Sequence, residues 1–342
     1  MEMEEKYMQY RKIGTTNIEA SVVAVGAWAM GGWMWGGTDE KAGIEAIHAA
    51  LDEGVNLIDT APIYGFGVSE QIVGKAIADR RDRVVIASKC GMVCRPDVGD
   101  FKFNSTGLGV DPAGHIPVRI YQGPASIREE VEKSLRRLGT DYLDVLQTHW
   151  QDSTTPIEET AETMLRLKEE GKIRAIGACN AKTEHLAQYL AAGGLDVDQE
   201  KYSMLDRKME DRGQLDYCAR QGVSVWPYSP LANGLLTGKI GPEREFAKGD
   251  LRADNPRFSP ENRRKVQEML AEFRPFAEEH GCSLAQLVTA WTFSRTAVSH
   301  VLCGMRNAEQ ARENAAAGRV ELSAEEVSRI TAILDRYRPQ LR

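Results

Sequence analysis

Several classes of protein are excluded by what this sequence lacks. Six cysteines in 342 residues are too few for a disulfide scaffold, and none falls in a C-x-x-C spacing, so they read as free thiols in a reducing compartment. Basic residues are not in surplus. Lys and Arg number 43 against 50 Asp and Glu, a formal net charge of −7, without the basic stripe that a phosphate backbone demands. Nucleic acid is therefore not expected as a partner. The opening MEMEEKYMQY is acidic where an export signal would be basic, which points to a cytoplasmic protein. The one stretch near membrane-span length, Ala20 to Thr38, carries no charge but holds five glycines, and it reads as a buried strand followed by a Gly-rich loop. No membrane partner is expected.

Familiar nucleotide and hydrolase motifs are missing as well. Gly65 and Gly67 have no third glycine in G-x-G-x-x-G spacing, which disfavours a Rossmann site. Gly234, Gly238 and Lys239 fall one residue short of a P-loop and lack its Ser or Thr. H-E-x-x-H, G-x-S-x-G and zinc-type spacings are absent, so no metal is expected.

What is present is an alternation of short β-rich runs and amphipathic helices sustained along the whole chain. After a hairpin over Tyr10–Ala20, strands are predicted at 21–26, 55–59, 84–89, 142–148, 173–178, 197–202, 223–228 and 299–303. Helices are predicted at 38–53 with Thr38 as N-cap, 69–79, 126–138, 156–170, 183–192, 211–220, 259–279 and 307–317, with 283–294 and 323–336 surplus to an eightfold count. Length alone suggests about two domains. Eight strand–helix units instead fit a single α/β domain over residues 1–342, a (β/α)8 TIM barrel with an N-terminal β-hairpin, long βα loops and an extra C-terminal helix. The excess length concentrates at 91–124, expected to be a substrate-side loop or lid without structure of its own, and at 229–259, expected on the cofactor side.

In such a barrel the carboxyl ends of the strands converge on one mouth. Asp59 and Tyr64 follow the second predicted strand, Lys89 ends the third and His149 follows the fourth. Singly, each has an ordinary reading: a cap, a half-buried aromatic, a solvated strand end, a structural histidine. Together they are coherent. A phenol has a pKa near 10 and is a poor acid unaided. A neighbouring Lys89 ammonium would lower it, Asp59 would hold the ammonium, and His149 could hydrogen-bond an oxygen gaining charge. That set can protonate a carbonyl oxygen but has no hydride of its own, so a cofactor must bring one.

The run Asp59-Thr60-Ala61-Pro62-Ile63-Tyr64-Gly65, with Gly67-Val68-Ser69-Glu70 and Gly74 after it, resembles the first signature of the aldo-keto reductase superfamily. Lys89 in Ala87-Ser88-Lys89 and His149 in Leu146-Gln147-Thr148-His149-Trp150 match the remainder of that family's Asp-Tyr-Lys-His tetrad, and the likeness extends from Gly14 to Asn314. The long loops are similar to those of its bacterial branch of general-stress and inositol-related reductases. The resemblance implies a nicotinamide cofactor lying across the mouth. Asn180 and Gln199 would hold its carboxamide, with Cys179 beside them in place of the family's usual Ser; Tyr228 would stack on its ring. Ser229, Leu231 and Asn233 would approach the pyrophosphate, and Gly304, Arg306, Gln310, Glu313 and Asn314 the adenosine half. Arg306 suits a 2′-phosphate, because a guanidinium binds phosphate through two parallel hydrogen bonds, so NADP(H) is favoured.

The activity expected is NADPH-dependent, reversible hydride transfer to an aldehyde or ketone, with a small carbonyl or alcohol as partner. Trp28, Trp33 and Trp35 in the first loop and Phe101, Phe103 and Tyr121 in the 91–124 segment are candidate substrate contacts, and they lean towards a sugar- or polyol-derived carbonyl. Two alternatives keep the same residues: a redox-neutral sugar epimerase with retained NADP, and a cofactor-sensing subunit like the potassium-channel β-subunits.

Overall fold

The structure, a computed structural model, describes residues 7–32, 35, 37–105, 115–246 and 250–341. The chain begins with an antiparallel hairpin, β1 (Tyr10–Lys12) and β2 (Glu19–Ser21), then enters the barrel with β3 (Val23–Gly26). There follow α1 (Glu40–Asp52), β4 (Leu57–Asp59), α2 (Val68–Ile77) and β5 (Val85–Cys90). Three short strands interrupt the alternation: β6 (Met92–Val93), β7 (Asp100–Asn104) and β8 (Pro117–Ile120). The alternation resumes with α3 (Pro124–Leu138), β9 (Leu143–Thr148), α4 (Ile157–Glu169), β10 (Ile173–Cys179), α5 (Thr183–Ala191) and β11 (Val197–Lys201). Two helices, α6 (Lys208–Asp211) and α7 (Gln214–Gln221), precede β12 (Ser224–Tyr228); then come α8 (Pro260–Glu279), α9 (Leu284–Phe293), β13 (Val301–Gly304), α10 (Ala308–Ala316) and α11 (Ala324–Tyr337).

Eight of these strands close into a parallel barrel in the order β3-β4-β5-β9-β10-β11-β12-β13, each of them at a predicted position. Side chains alternate across a strand, so every second residue points inward. Ala24, Leu57, Val85, Ala87, Val145, Ala175, Val197, Trp226 and Leu302 fill the interior, and Ile13, Ile18 and Ala20 of the hairpin region join the same apolar cluster. A larger apolar cluster lies between the barrel and its helices. Among the described residues no helix is long and apolar enough to cross a membrane.

Three expectations need correction. The first helix is capped by Asp39, whose carboxylate accepts from the Ala42 amide at 3.0 Å, and not by Thr38. The helix predicted over 211–220 is two helices, parted at Gly213, whose φ of 69° ends one and opens the next. The segment after β5 is not structureless. There β8 pairs antiparallel with both β6 and β7, and the Arg119 guanidinium donates to the carbonyls of Val98 and Gly99 across the sheet.

Candidate active site

Continuing the inward alternation one step past the apolar interior gives a polar layer. Asp59 lies two residues after Leu57, Lys89 two after Ala87, Gln147 two after Val145 and Gln199 two after Val197, and all four are buried. Lys89 Nζ donates to both oxygens of Asp59, at 2.8 and 2.6 Å, and to the Thr60 carbonyl at 3.0 Å. The amides of Gln199 and Gln147 donate to Asp59 Oδ1 at 2.8 and 3.2 Å, and Gln199 also donates to Gln147 Oε1 at 3.1 Å. The carboxylate is thus held from three other strands, Lys89 among its donors. At the matching position of β10 stands Gly177, where a Cβ would come within 2.7 Å of Gln147 Cγ; the missing side chain makes room for that amide.

Tyr64 sits above this layer. Its turn is fixed by hydrogen bonds from the Tyr64 amide to the Ala61 carbonyl and from the Ser69 amide to the Tyr64 carbonyl, both 3.1 Å. Below the turn Ser69 bonds Thr60 and the Ala27 carbonyl, while buried Glu70 accepts from Ser88 and pairs with Arg137. Gly65, at φ 63°, packs so tightly on the first loop that a Cβ would lie 2.3 Å from the Gly31 oxygen. The conspicuous residues around Tyr64 therefore serve to place it.

The Lys89 ammonium is 4.9 Å from the centre of the Tyr64 ring, and the His149 imidazole meets that ring edge-on at 5.6 Å between centroids. The His149 amide donates to Cys90 on the neighbouring strand at 2.9 Å. Burial pushes the Tyr64 phenol above the ordinary tyrosine value; the Lys89 charge pulls it down and Asp59 pushes it up again. The expectation that Lys89 makes this phenol more acidic than usual is thus corrected: its pull does not overcome burial. At neutral pH the hydroxyl keeps its proton. Burial opposes the charge on Lys89, but Asp59 and Tyr64 outweigh it and its pKa is raised. For His149 burial, then the charges of Lys89 and Lys102, push the pKa well down, so the imidazole is neutral at physiological pH.

At the other side of the mouth the Tyr228 hydroxyl donates to Asn180 Oδ1 at 2.8 Å, and Asn180 Nδ2 donates to the His149 carbonyl at 2.9 Å and to Cys179 Sγ at 3.1 Å. Cys179 is protonated, burial raising its thiol well above the usual range, and it donates to Gln199 Oε1 at 3.6 Å. Left-handed backbone recurs at Asn180, Ser229, Ala232 and Asn233, and half-buried Leu231 packs against the core. The Gly304–Arg306 turn is held from below: Asn314 Nδ2 donates to the Gly304 carbonyl at 3.1 Å and Gln310 Oε1 accepts from the Arg306 amide at 2.9 Å. Glu313 instead pairs with Lys239 at 2.7 Å. Arg306 is exposed, and its guanidinium donates to the carbonyls of Trp35 and Gly37 at 2.9 and 3.2 Å. A Cβ at Gly304 would meet nothing within 4 Å. An exposed guanidinium, open space at the strand end and a half-buried tyrosine ring suit a long dinucleotide bearing anionic groups.

Of the proposed substrate contacts, Trp28 lies 6.4 Å from Tyr64 between ring centres and Trp35 meets Trp28 edge-on at 5.3 Å. Trp33 is outside the described residues. Phe103 packs with Tyr64 in a small cluster containing Ala61, Ile63 and Val118. Phe101 is 56% exposed, and Tyr121 lies over its own chain, its hydroxyl 2.3 Å from where a Gly123 Cβ would be. Sequence reasoning missed Gln147, although its position two residues after an inward valine was a usable signal.

Residues 22–335 match the model of the Aldo/keto reductase family. The chain belongs to that family. It is accordingly an NAD(P)-dependent oxidoreductase acting on carbonyl or alcohol groups. Relatives of this aldo-keto reductase include the NADH-specific methylglyoxal reductase of Escherichia coli (strain K12), 42% identical over 91% of this chain and 94% of its own. The aldo-keto reductase YhdN of Bacillus subtilis (strain 168) is 39% identical over 96% and 94%. Among solved structures the glycerol dehydrogenase of Gluconobacter oxydans superposes with a TM-score of 0.84, at 36% identity, over 98% of this chain and 97% of that one.

Proposed function

We propose that this aldo-keto reductase reduces a short, oxygen-bearing aldehyde or ketone with NADP(H), with Tyr64 as proton donor, in a reducing, cytoplasmic setting. The observation that carries the reading is the buried Lys89–Asp59 pair under a half-buried, protonated Tyr64, with neutral His149 edge-on to it. The bound nicotinamide supplies the hydride. Tyr64 gives its hydroxyl proton to the carbonyl oxygen, Lys89 opposes the charge then left on the phenolate, and Asp59 with its two glutamine donors keeps Lys89 charged and in place. The His149 imidazole hydrogen-bonds the same oxygen without adding a charge that would compete with Lys89.

The cofactor would be held by Tyr228, Cys179, Asn180 and Gln199 at the nicotinamide, by Ser229, Leu231 and Asn233 at the pyrophosphate, and by the Gly304–Arg306 turn with Gln310 and Asn314 at the adenosine, whereas the Glu313 carboxylate is taken up by Lys239. A short, oxygenated substrate is supported by the two relatives named for methylglyoxal and glycerol, both three-carbon compounds. Loss of nicotinamide absorbance with a panel of such carbonyls tests the reading, and no turnover of any of them would reject it.

The choice of NADP(H) rests on Arg306. Its guanidinium is exposed and, among the described residues, donates to backbone carbonyls, so it brings a charge that a 2′-phosphate can use. The Escherichia coli relative is named for NADH, so both cofactors belong in the test. Arg306→Ala is expected to raise KM for NADPH by about ten- to a hundredfold, the worth of one charged hydrogen bond, with a far smaller change for NADH. Equal changes would assign the 2′-position elsewhere.

A further inference from the structure

One cation at the mouth has no part in the chemistry above. Lys102 belongs to β7, and its Nζ lies 3.2 Å from the centre of the Trp150 indole, the residue directly after His149. It stands at a β-bulge: Phe101 pairs with Arg119 and Phe103 with Val118, leaving Lys102 as the extra residue. A bulge re-aims the side chain it carries, and bulges recur beside active sites. The next residue, Phe103, packs in the cluster with Tyr64, so β7 touches both the Tyr64 wall and the His149–Trp150 wall.

Among the described residues no carboxylate pairs with Lys102. The two acids closest to it along β7 and after Trp150 are already engaged. Asp100 accepts from the amide and hydroxyl of Ser153 at 2.7 and 2.8 Å, and Asp152 accepts from Gln122, Thr154 and Thr155. Partial burial depresses the Lys102 pKa with no acid opposing it, and its charge is among those that reach His149. An indole face returns only part of the solvation that a half-buried ammonium gives up. The group able to return the rest is one that arrives through the mouth.

We propose that Lys102 is a specificity-determining residue whose ammonium receives a negatively charged substituent, carboxylate or phosphate, on a short carbonyl substrate. The inference rests on the carbonyl-reductase reading and narrows its substrate class to anionic aldehydes and ketones.

Two matched pairs test it with NADPH at low ionic strength, where charge recognition is least screened: succinate semialdehyde against butanal, and glyceraldehyde 3-phosphate against glyceraldehyde. The anionic member of at least one pair is expected to be preferred about tenfold or more in kcat/KM, mainly through KM, and the pair that responds separates carboxylate from phosphate. In Lys102→Met that ratio falls at least tenfold, while Lys102→Arg keeps most of it. No preference in either pair, or a preference untouched in Lys102→Met, overturns the proposal. Turnover of none of the four rejects the carbonyl-reductase reading instead. Lys102 is then judged by indole fluorescence, titrating wild type and Lys102→Met with succinate, glycerol 3-phosphate and glycerol. A saturating change with an anion in wild type alone supports the anion site, and its absence overturns it.

Discussion

Tyr64→Phe is expected to lower kcat for carbonyl reduction by about 10²–10⁴-fold, the usual contribution of a positioned proton donor. The substitution removes one oxygen and keeps the ring that packs against the cluster of Ala61, Ile63 and Val118 and meets His149 edge-on. The Lys89–Asp59 pair beneath is untouched, so the fold and the cofactor cradle are expected to persist. Cofactor affinity, read by fluorescence titration, should stay within a few-fold of wild type while kcat collapses. Turnover within tenfold of wild type would remove Tyr64 from the chemistry.

Lys89→Met is expected to damage both stability and rate. It leaves Asp59 as a buried carboxylate facing only neutral amide donors, and breaking a buried pair from one side costs about 3–5 kcal/mol. The loss is read as a lower midpoint of thermal unfolding. Turnover falls by a factor comparable to that of Tyr64→Phe, because nothing then opposes the charge left on the phenolate. The double variant Asp59→Asn, Lys89→Met separates the two effects. With both charges gone, most of the stability should return while turnover does not. Recovery of turnover in the double variant would mean that Lys89 matters only for folding.

The barrel was legible because its interior is written as alternation: Val85, Ala87 and Lys89, or Val145 and Gln147, step inward two residues at a time. The tetrad was legible because each member ends or follows such a run. The inserted sheet was not, since β7 has the half-exposed pattern of a polar loop and is held by antiparallel pairing with β8 and by Arg119 reaching back to Val98 and Gly99, contacts distant along the chain. Gln147, and the bond by which Gln199 donates to Asp59, escaped notice for a different reason. Neutral amides give no titration signal, and their importance lies in what they hold. Lys102 reads in sequence as one more solvated lysine until the bulge aims it at Trp150.

The hydrogen bonds converging on Asp59 have a consequence for how the enzyme comes into being. The carboxylate is on β4, while its partners are on β5, β9 and β11, strands that bracket much of the barrel's circumference. Helices and isolated strand pairs can form without satisfying this set, and a one-residue slip of any contributing strand would turn its donor out of the interior. The polar layer therefore proofreads assembly. Chains that have acquired secondary structure but have not closed the ring in register carry every side chain of the candidate site and none of its geometry.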